Sequence, residues 1–158
     1  SLLAEHGFQQ YEISAYAKAG RQCAHNLNYW RYGDYLGIGA GAHGKISSGA
    51  SGEILRRWKV KNPRDYLQHA GSEKRIGGDE LITAENRPFD YMLNALRLSE
   101  GFAIKDFEVR TGLERKAIDK KMDHAKLMGW LEEQDGRVFP TDLGQRFSND
   151  VMGLFLTD

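Results

Sequence analysis

The chain has 158 residues, enough for one good core or two small ones, with 41% hydrophobic and 28% charged residues. Twenty-two basic and 22 acidic residues cancel, so no global field draws the chain to nucleic acid or an anionic membrane. One cysteine, Cys23, excludes an intrachain disulfide and a self-sufficient iron–sulfur site, and no apolar run is long enough to predict a membrane-spanning helix.

Residues 1–7 read as the last turns of a helix closed by Gly7, which suggests a piece of something longer. Phe8, Tyr11 and Ile13 predict a strand over 8–14. Residues 15–33 have no clean period and are expected to be loop with some helix. Tyr35 to Ile38 reads as a short strand entering a Gly run, and the Ser/Gly-rich stretch 45–55 as a boundary or hairpin tip. A strand with basic outward positions is expected over 53–61, then a short helix, Arg64 to Ala70, opened by Asn62-Pro63. Residues 71–82 read as a polar connector.

Further on, Phe89, Met92, Leu93 and Leu96 recur at helical spacing, with Pro88 in the first turn and Gly101 closing the helix. Helices are predicted over Ile104 to Thr111 and Glu114 to Met128, capped by Gly112 and Gly129. Asp135-Gly136 between two β-prone runs predicts a hairpin. Thr141 is expected to cap one last helix with Leu143, Phe147, Val151 and Leu154 on one face. The fold class expected is α+β. Three units are expected: 1–48, a connector 49–82 with a strand and short helix, and a winged-helix-like, mostly α-helical domain over 83–158.

Residues 23–44 hold the most distinctive chemistry. Gly37-x-Gly39-x-x-Ala42 formally matches a dinucleotide fingerprint, but Gly44-Lys45-Ile46-Ser47 is a poor helix start. What survives is that alternating glycines allow close approach to the backbone, by a ligand or by the chain itself. His25 precedes Tyr29 and Trp30. Imidazole is a common metal and haem ligand, and nearby aromatic rings suit a porphyrin face. Without context, such a His is more often a hydrogen-bonded structural residue. Cys23-x-His25 has no second pair at metal-site spacing. Arg56, Arg57, Lys59, Lys61 and Arg64 suit carboxylates or phosphates, or a solvated strand face. The helix from Glu114 interleaves Glu114, Asp119 and Asp123 with its basic residues, which disfavours DNA binding.

YEISAYA, CAHNLNYWRYGDYLGIGAGAHGKI and RRWKVKNPRDYL together resemble the C-terminal third of the HemN/HemW family of radical S-adenosylmethionine proteins. His25-Asn26-Leu27-Asn28-Tyr29-Trp30 matches the H-N-x-x-Y-W signature of the HemW-type, haem-chaperone branch. The resemblance implies haem as cofactor, with His25 as axial ligand to its iron and Tyr29 and Trp30 packing near the macrocycle. It implies that Gly37, Gly39, Gly41 and His43 form one wall of an S-adenosylmethionine pocket, and that residues 1–48 are the last βα elements of a partial radical barrel. The family's three-cysteine [4Fe–4S] motif is absent, so this chain alone is expected to be inactive in radical chemistry. The expected partners are haem or porphyrin and haem-accepting proteins, with no nucleic acid and no transmembrane segment. An open barrel edge would leave residues 1–60 poorly ordered or pairing with another copy. The expected location is cytoplasmic. The alternatives are coproporphyrinogen III oxidase activity in a full-length parent, and a winged-helix interaction module.

Overall fold

The computed structural model describes residues 2–157. The chain divides into two compact units: residues up to Tyr32 together with those from Ala84 onward, and Gly33–Thr83 between them.

The first unit opens with helix α1 (Leu2–Glu5) and a short antiparallel hairpin, β1 (Gln9–Glu12) and β2 (Ala15–Ala17). The predicted strand over 8–14 is therefore interrupted. Glu12 turns its side chain back to accept from the N–H and hydroxyl of Ser14, at 3.0 and 2.7 Å, and this side-chain turn ends the strand. Helix α2 (Ala24–Trp30) follows, the helical part of the 15–33 stretch. It stops because Tyr32 takes a left-handed conformation, φ 58°. That strain is held by burial and by a hydrogen bond from the Tyr32 hydroxyl to Asp90 Oδ2 at 2.6 Å.

The second unit is a three-stranded antiparallel sheet in the order β3 (His43–Ser47), β4 (Ile54–Lys59), β5 (Ile76–Leu81), with α3 (Pro63–Gln68) between the last two strands. Asn62 caps α3 by accepting from the N–H of Arg64, and Pro63 sits in its first turn. β5 lies where a polar connector was expected. Its strand pattern is hidden by Gly77 and Gly78, whose missing side chains make room for the indole of Trp58 on β4. A Cβ at Gly78 would lie 2.3 Å from that ring. Conversely, Tyr35 to Ile38 is not a strand: only Tyr35 forms a bridge, to Lys45, and Leu36 and Ile38 are exposed.

The first unit resumes with α4 (Arg87–Ala95), β6 (Phe102–Ala103), α5 (Ile104–Thr111), α6 (Asp119–Leu127), the hairpin β7 (Leu131–Gln134) and β8 (Arg137–Pro140), α7 (Asp142–Arg146) and α8 (Ser148–Gly153). Its strands order β6-β8-β7. Tyr91, Met92, Phe107, Ile118, Met122, Leu131, Val138 and Phe155 are nearly inaccessible and form its core. The Asp135-Gly136 turn has φ 52° and 73°, the twist-compatible hairpin geometry. The helix expected from Glu114 begins as a single 3-10 turn, Arg115–Ala117, before α6. The last predicted helix is two. Thr141 caps α7 by accepting from the N–H of Gly144, but the backbone leaves helical geometry at Phe147. Ser148, Asn149 and Asp150 then begin a new helix, as such residues favour doing. Leu143 and Phe147 consequently stay exposed while Val151, Met152 and Phe155 are buried.

Every strand pairing among the described residues is antiparallel. No helix of the described residues is long and apolar enough to cross a membrane.

Candidate functional site

The two halves of the stretch 23–44 fall in different units. His25, Tyr29 and Trp30 belong to the first, and Gly37, Gly39, Gly41 and His43 to the second.

On α2, His25 and Tyr29 are four residues apart and share a face. Their rings meet edge to face, centroids 4.6 Å apart and planes at 89°. His25 is exposed and makes no hydrogen bond among the described residues, so its imidazole nitrogens are open to a ligand. Trp30 is five residues from His25 and so turned about 140° around the helix. It points inward, with its ring centroid 6.5 Å from that of Tyr29. The Arg97 guanidinium lies over the Trp30 ring at 4.3 Å. The same guanidinium donates to Glu12 Oε2 at 3.1 Å, and Glu12 is only 2% exposed. A backbone ladder joins these groups: Ile13 N–H donates to the Arg97 carbonyl and Ser99 N–H to that of Tyr11. Trp30 Nε1 is buried with no acceptor among the described residues. Cys23 sits exposed at the start of α2. Among the described residues, no three His, Cys, Asp or Glu side chains are grouped to hold a metal ion.

In the second unit the Gly run is a loop leading into β3. A Cβ at Gly37 would lie 2.3 Å from the His43 carbonyl oxygen, so this glycine serves the chain's own close packing. The Gly41 N–H donates to the Val60 carbonyl at 2.8 Å and the Gly39 N–H to the Tyr66 hydroxyl at 3.3 Å. His43 is exposed and lies against Trp58, ring centroids 6.3 Å apart. No helix follows the glycines, so the dinucleotide pattern has no helix N-terminus to offer a phosphate. Of the basic cluster, Arg57 is engaged by Asp79 across the sheet, at 2.6 and 2.8 Å, the solvated-face arrangement.

The sequence reading missed the groups that hold these elements. Tyr32 and Asp90, Glu12 and Arg97, and Asp34 and Lys45 meet only in three dimensions, and no local spacing marks them. Lys45 is 2% exposed and donates to Asp34 Oδ1 at 2.9 Å, while Asp34 also accepts from the Ser47 N–H and hydroxyl at 2.9 Å. Desolvation pulls the Asp34 carboxyl up, but the Ser47 N–H, Lys45 and the Ser47 hydroxyl outweigh it and hold it below its ordinary value. A depressed folded value gives stability that is present above the unfolded value of 3.8 and is lost as pH falls through the lower folded one. Thermal melts of the parent are therefore expected to drop as pH falls below 3.8, and those of Asp34→Asn to lack that component. Parallel curves for the two proteins would remove Asp34 as the group responsible.

Residues 82–147 match the HemN C-terminal domain family, which fits the helices and β6-β8-β7 sheet of the first unit. The whole chain is similar to proteins named heme chaperone HemW: 43% identical to that of Haemophilus influenzae, 42% to that of Escherichia coli and 32% to that of Bacillus subtilis, each over 99% of this chain. It spans about 40% of the length of each of these relatives. In fold it is similar to the solved radical SAM enzyme coproporphyrinogen III oxidase (HemN) of Escherichia coli. The TM-score is 0.64 at 14% identity, covering 98% of this chain and 38% of that one. The chain carries a HemN C-terminal domain over residues 82–147 and is similar along its whole length to HemW-type proteins.

Proposed function

We propose that this chain is the C-terminal part of a HemW-type radical SAM haem chaperone and that it contributes a haem-binding element centred on His25. The observation that carries the reading is the exposed imidazole of His25, its nitrogens unengaged among the described residues and its ring held by Tyr29. The names of the relatives support it. Haem, when bound, would supply an iron that the neutral imidazole of His25 would hold. Tyr29 orients that imidazole from the same helix face. Trp30, held under Arg97, braces the helix from within more than it offers a free face.

The test is a haem titration followed in the Soret band. The parent chain is expected to shift the band on binding, and His25→Ala to lose most of that shift. A spectrum unchanged in His25→Ala removes His25 as the ligand, and no shift in the parent overturns the reading.

Order of elements supports a winged-helix-like domain: three helices, then the β7–β8 hairpin joined by β6. Two of the three lysines of its third helix, and Arg115 in the turn before it, are occupied within the chain. Lys126 and Arg115 hold Glu133, and Lys121 donates to the Leu156 carbonyl, which favours a role other than nucleic-acid binding. Parallel barrel strands remain an assignment for a longer parent. β1 is the candidate for the barrel's edge, and with it for self-association, over Gln9 and Gln10, since from Tyr11 onward the backbone ladder to Arg97 and Ser99 covers it. A single cysteine does not fit a [4Fe–4S] cluster, so no step of radical chemistry is assigned to this chain. For S-adenosylmethionine, the exposed ring of His43 fits a contact role, whereas the N–H groups of Gly39 and Gly41 are already engaged. Haem delivery to an acceptor protein in the cytoplasm completes the proposal. The likeness to the oxidase is one of fold.

A further inference from the structure

The first unit holds a cavity that the haem reading of His25 does not use. It encloses about 330 Å³, near the lower end of small-molecule sites. Tyr91 and Phe102, 1% and 4% exposed, line it with Trp30. Arg31, Arg110 and Arg137 also line it, together with Glu100 and Asp106.

These charges are unevenly engaged. Glu100 is taken by Arg31 at 2.9 Å. Arg137 donates to the carbonyl oxygens of Glu100 and Gly101, at 3.0 and 3.3 Å. Arg110 makes no hydrogen bond or ion pair among the described residues. An exposed arginine in that state is ordinary. Tyr91 is not: it is almost wholly buried, packed edge-on by Phe102 and Phe107, and its hydroxyl has no partner among the described residues. A phenol whose ring is packed away while its hydroxyl opens to a cavity is a donor for what enters it. Burial first, then the Asp106 carboxylate, push the phenol above its ordinary range against Arg110 and Arg137, so the hydroxyl keeps its proton.

We propose that this cavity binds a carboxylate, with the Tyr91 hydroxyl and the Arg110 guanidinium donating to its oxygens and Phe102 covering the apolar stem that carries it. A guanidinium fork matches a carboxylate in plane. Asp106 opposes a second negative charge, which argues against a phosphate dianion. The carboxylate has two sources. One is the propionate arm of a tetrapyrrole, which rests on the haem reading above. The other is a free small carboxylic acid, which does not.

The test titrates the full chain, by calorimetry, with haem, with haem whose propionates are methyl esters, and with 3-phenylpropionate. Arg110→Gln changes an exposed residue and Tyr91→Phe keeps the ring, so both variants are expected to fold, and thermal melts check it. Each is expected to weaken binding about tenfold, the worth of one charge-assisted hydrogen bond. Weaker binding of the ester than of haem assigns the site to the propionate. Equal binding of ester and haem, with 3-phenylpropionate bound and sensitive to both variants, assigns it to a free acid. If no probe responds to either variant, the proposal is overturned. A Soret shift that needs His25 but ignores Arg110 and Tyr91, with 3-phenylpropionate unbound, sinks this proposal and leaves the haem reading. Binding of 3-phenylpropionate that needs Tyr91, with no Soret shift, does the reverse.

Discussion

Gly101→Ala is expected to destabilise the chain by about 3 kcal/mol, a fall of roughly 6–12 °C in melting temperature for a chain of this size. Two penalties coincide at this residue. Its φ is +61°, a conformation that L side chains rarely adopt. An added Cβ would also lie 1.8 Å from the Val138 carbonyl oxygen and 2.6 Å from Phe139 Cα. Both are backbone atoms of β8, so no side-chain rotation relieves the overlap. Either the β6–β8 pairing of Phe102 with Val138 opens, or the chain leaves its turn after α4.

Gly129→Ala separates the two penalties. Gly129 has φ +70° but nothing within 4 Å of an added Cβ. Its cost is expected to be about 1 kcal/mol, the conformational part alone. Urea unfolding of the two variants against the parent is the measurement. Equal losses would mean that β8 yields freely, and the close packing at Gly101 would then carry no stability.

The same contrast explains what could be read from the sequence. The Asp135-Gly136 turn was legible because two adjacent residues decide its geometry. So was α5, with Ile104 and Phe107 buried and Gly112 left-handed after its end. His25 and Tyr29 sharing a helix face follows from their spacing. Trp30 could not be placed that way, since its direction is set by Arg97, a residue 67 positions further on. β5 was illegible because its glycines answer to Trp58 on the neighbouring strand and not to their own neighbours in sequence. The break at Phe147 was hidden because the stripe of Leu143, Phe147, Val151 and Leu154 fits one helix as well as two. The cavity hydroxyl of Tyr91 was illegible for the opposite reason: a Tyr at a core position of α4 reads as packing, and only the absence of an acceptor distinguishes it.

Arg97→Ala is the second large effect expected, about 3 kcal/mol, and it bears directly on the proposed haem element. Glu12 is 2% exposed, and Arg97 is the cation paired with it. Truncating Arg97 leaves a buried carboxylate with only the N–H and hydroxyl of Ser14 as donors. The figure is taken at the low end for a broken buried pair because Arg97 itself is 28% exposed and partly screened. The substitution also strips the cation from the face of Trp30. Arg97→Lys keeps the charge but not the planar stack, so its loss is expected to fall between that of Arg97→Ala and the parent. Adding Glu12→Gln to Arg97→Ala removes the orphaned charge and is expected to restore at least ~1 kcal/mol. Urea unfolding of the four proteins measures each term. If Glu12→Gln restores nothing, the buried charge is not the cause and the loss belongs to the stack on Trp30. In either case α2 is held from its inner face, through Trp30, while His25 and Tyr29 are left outward. On the proposed haem reading, Arg97→Ala should therefore weaken haem binding without abolishing it, in contrast to His25→Ala, which removes the proposed ligand itself.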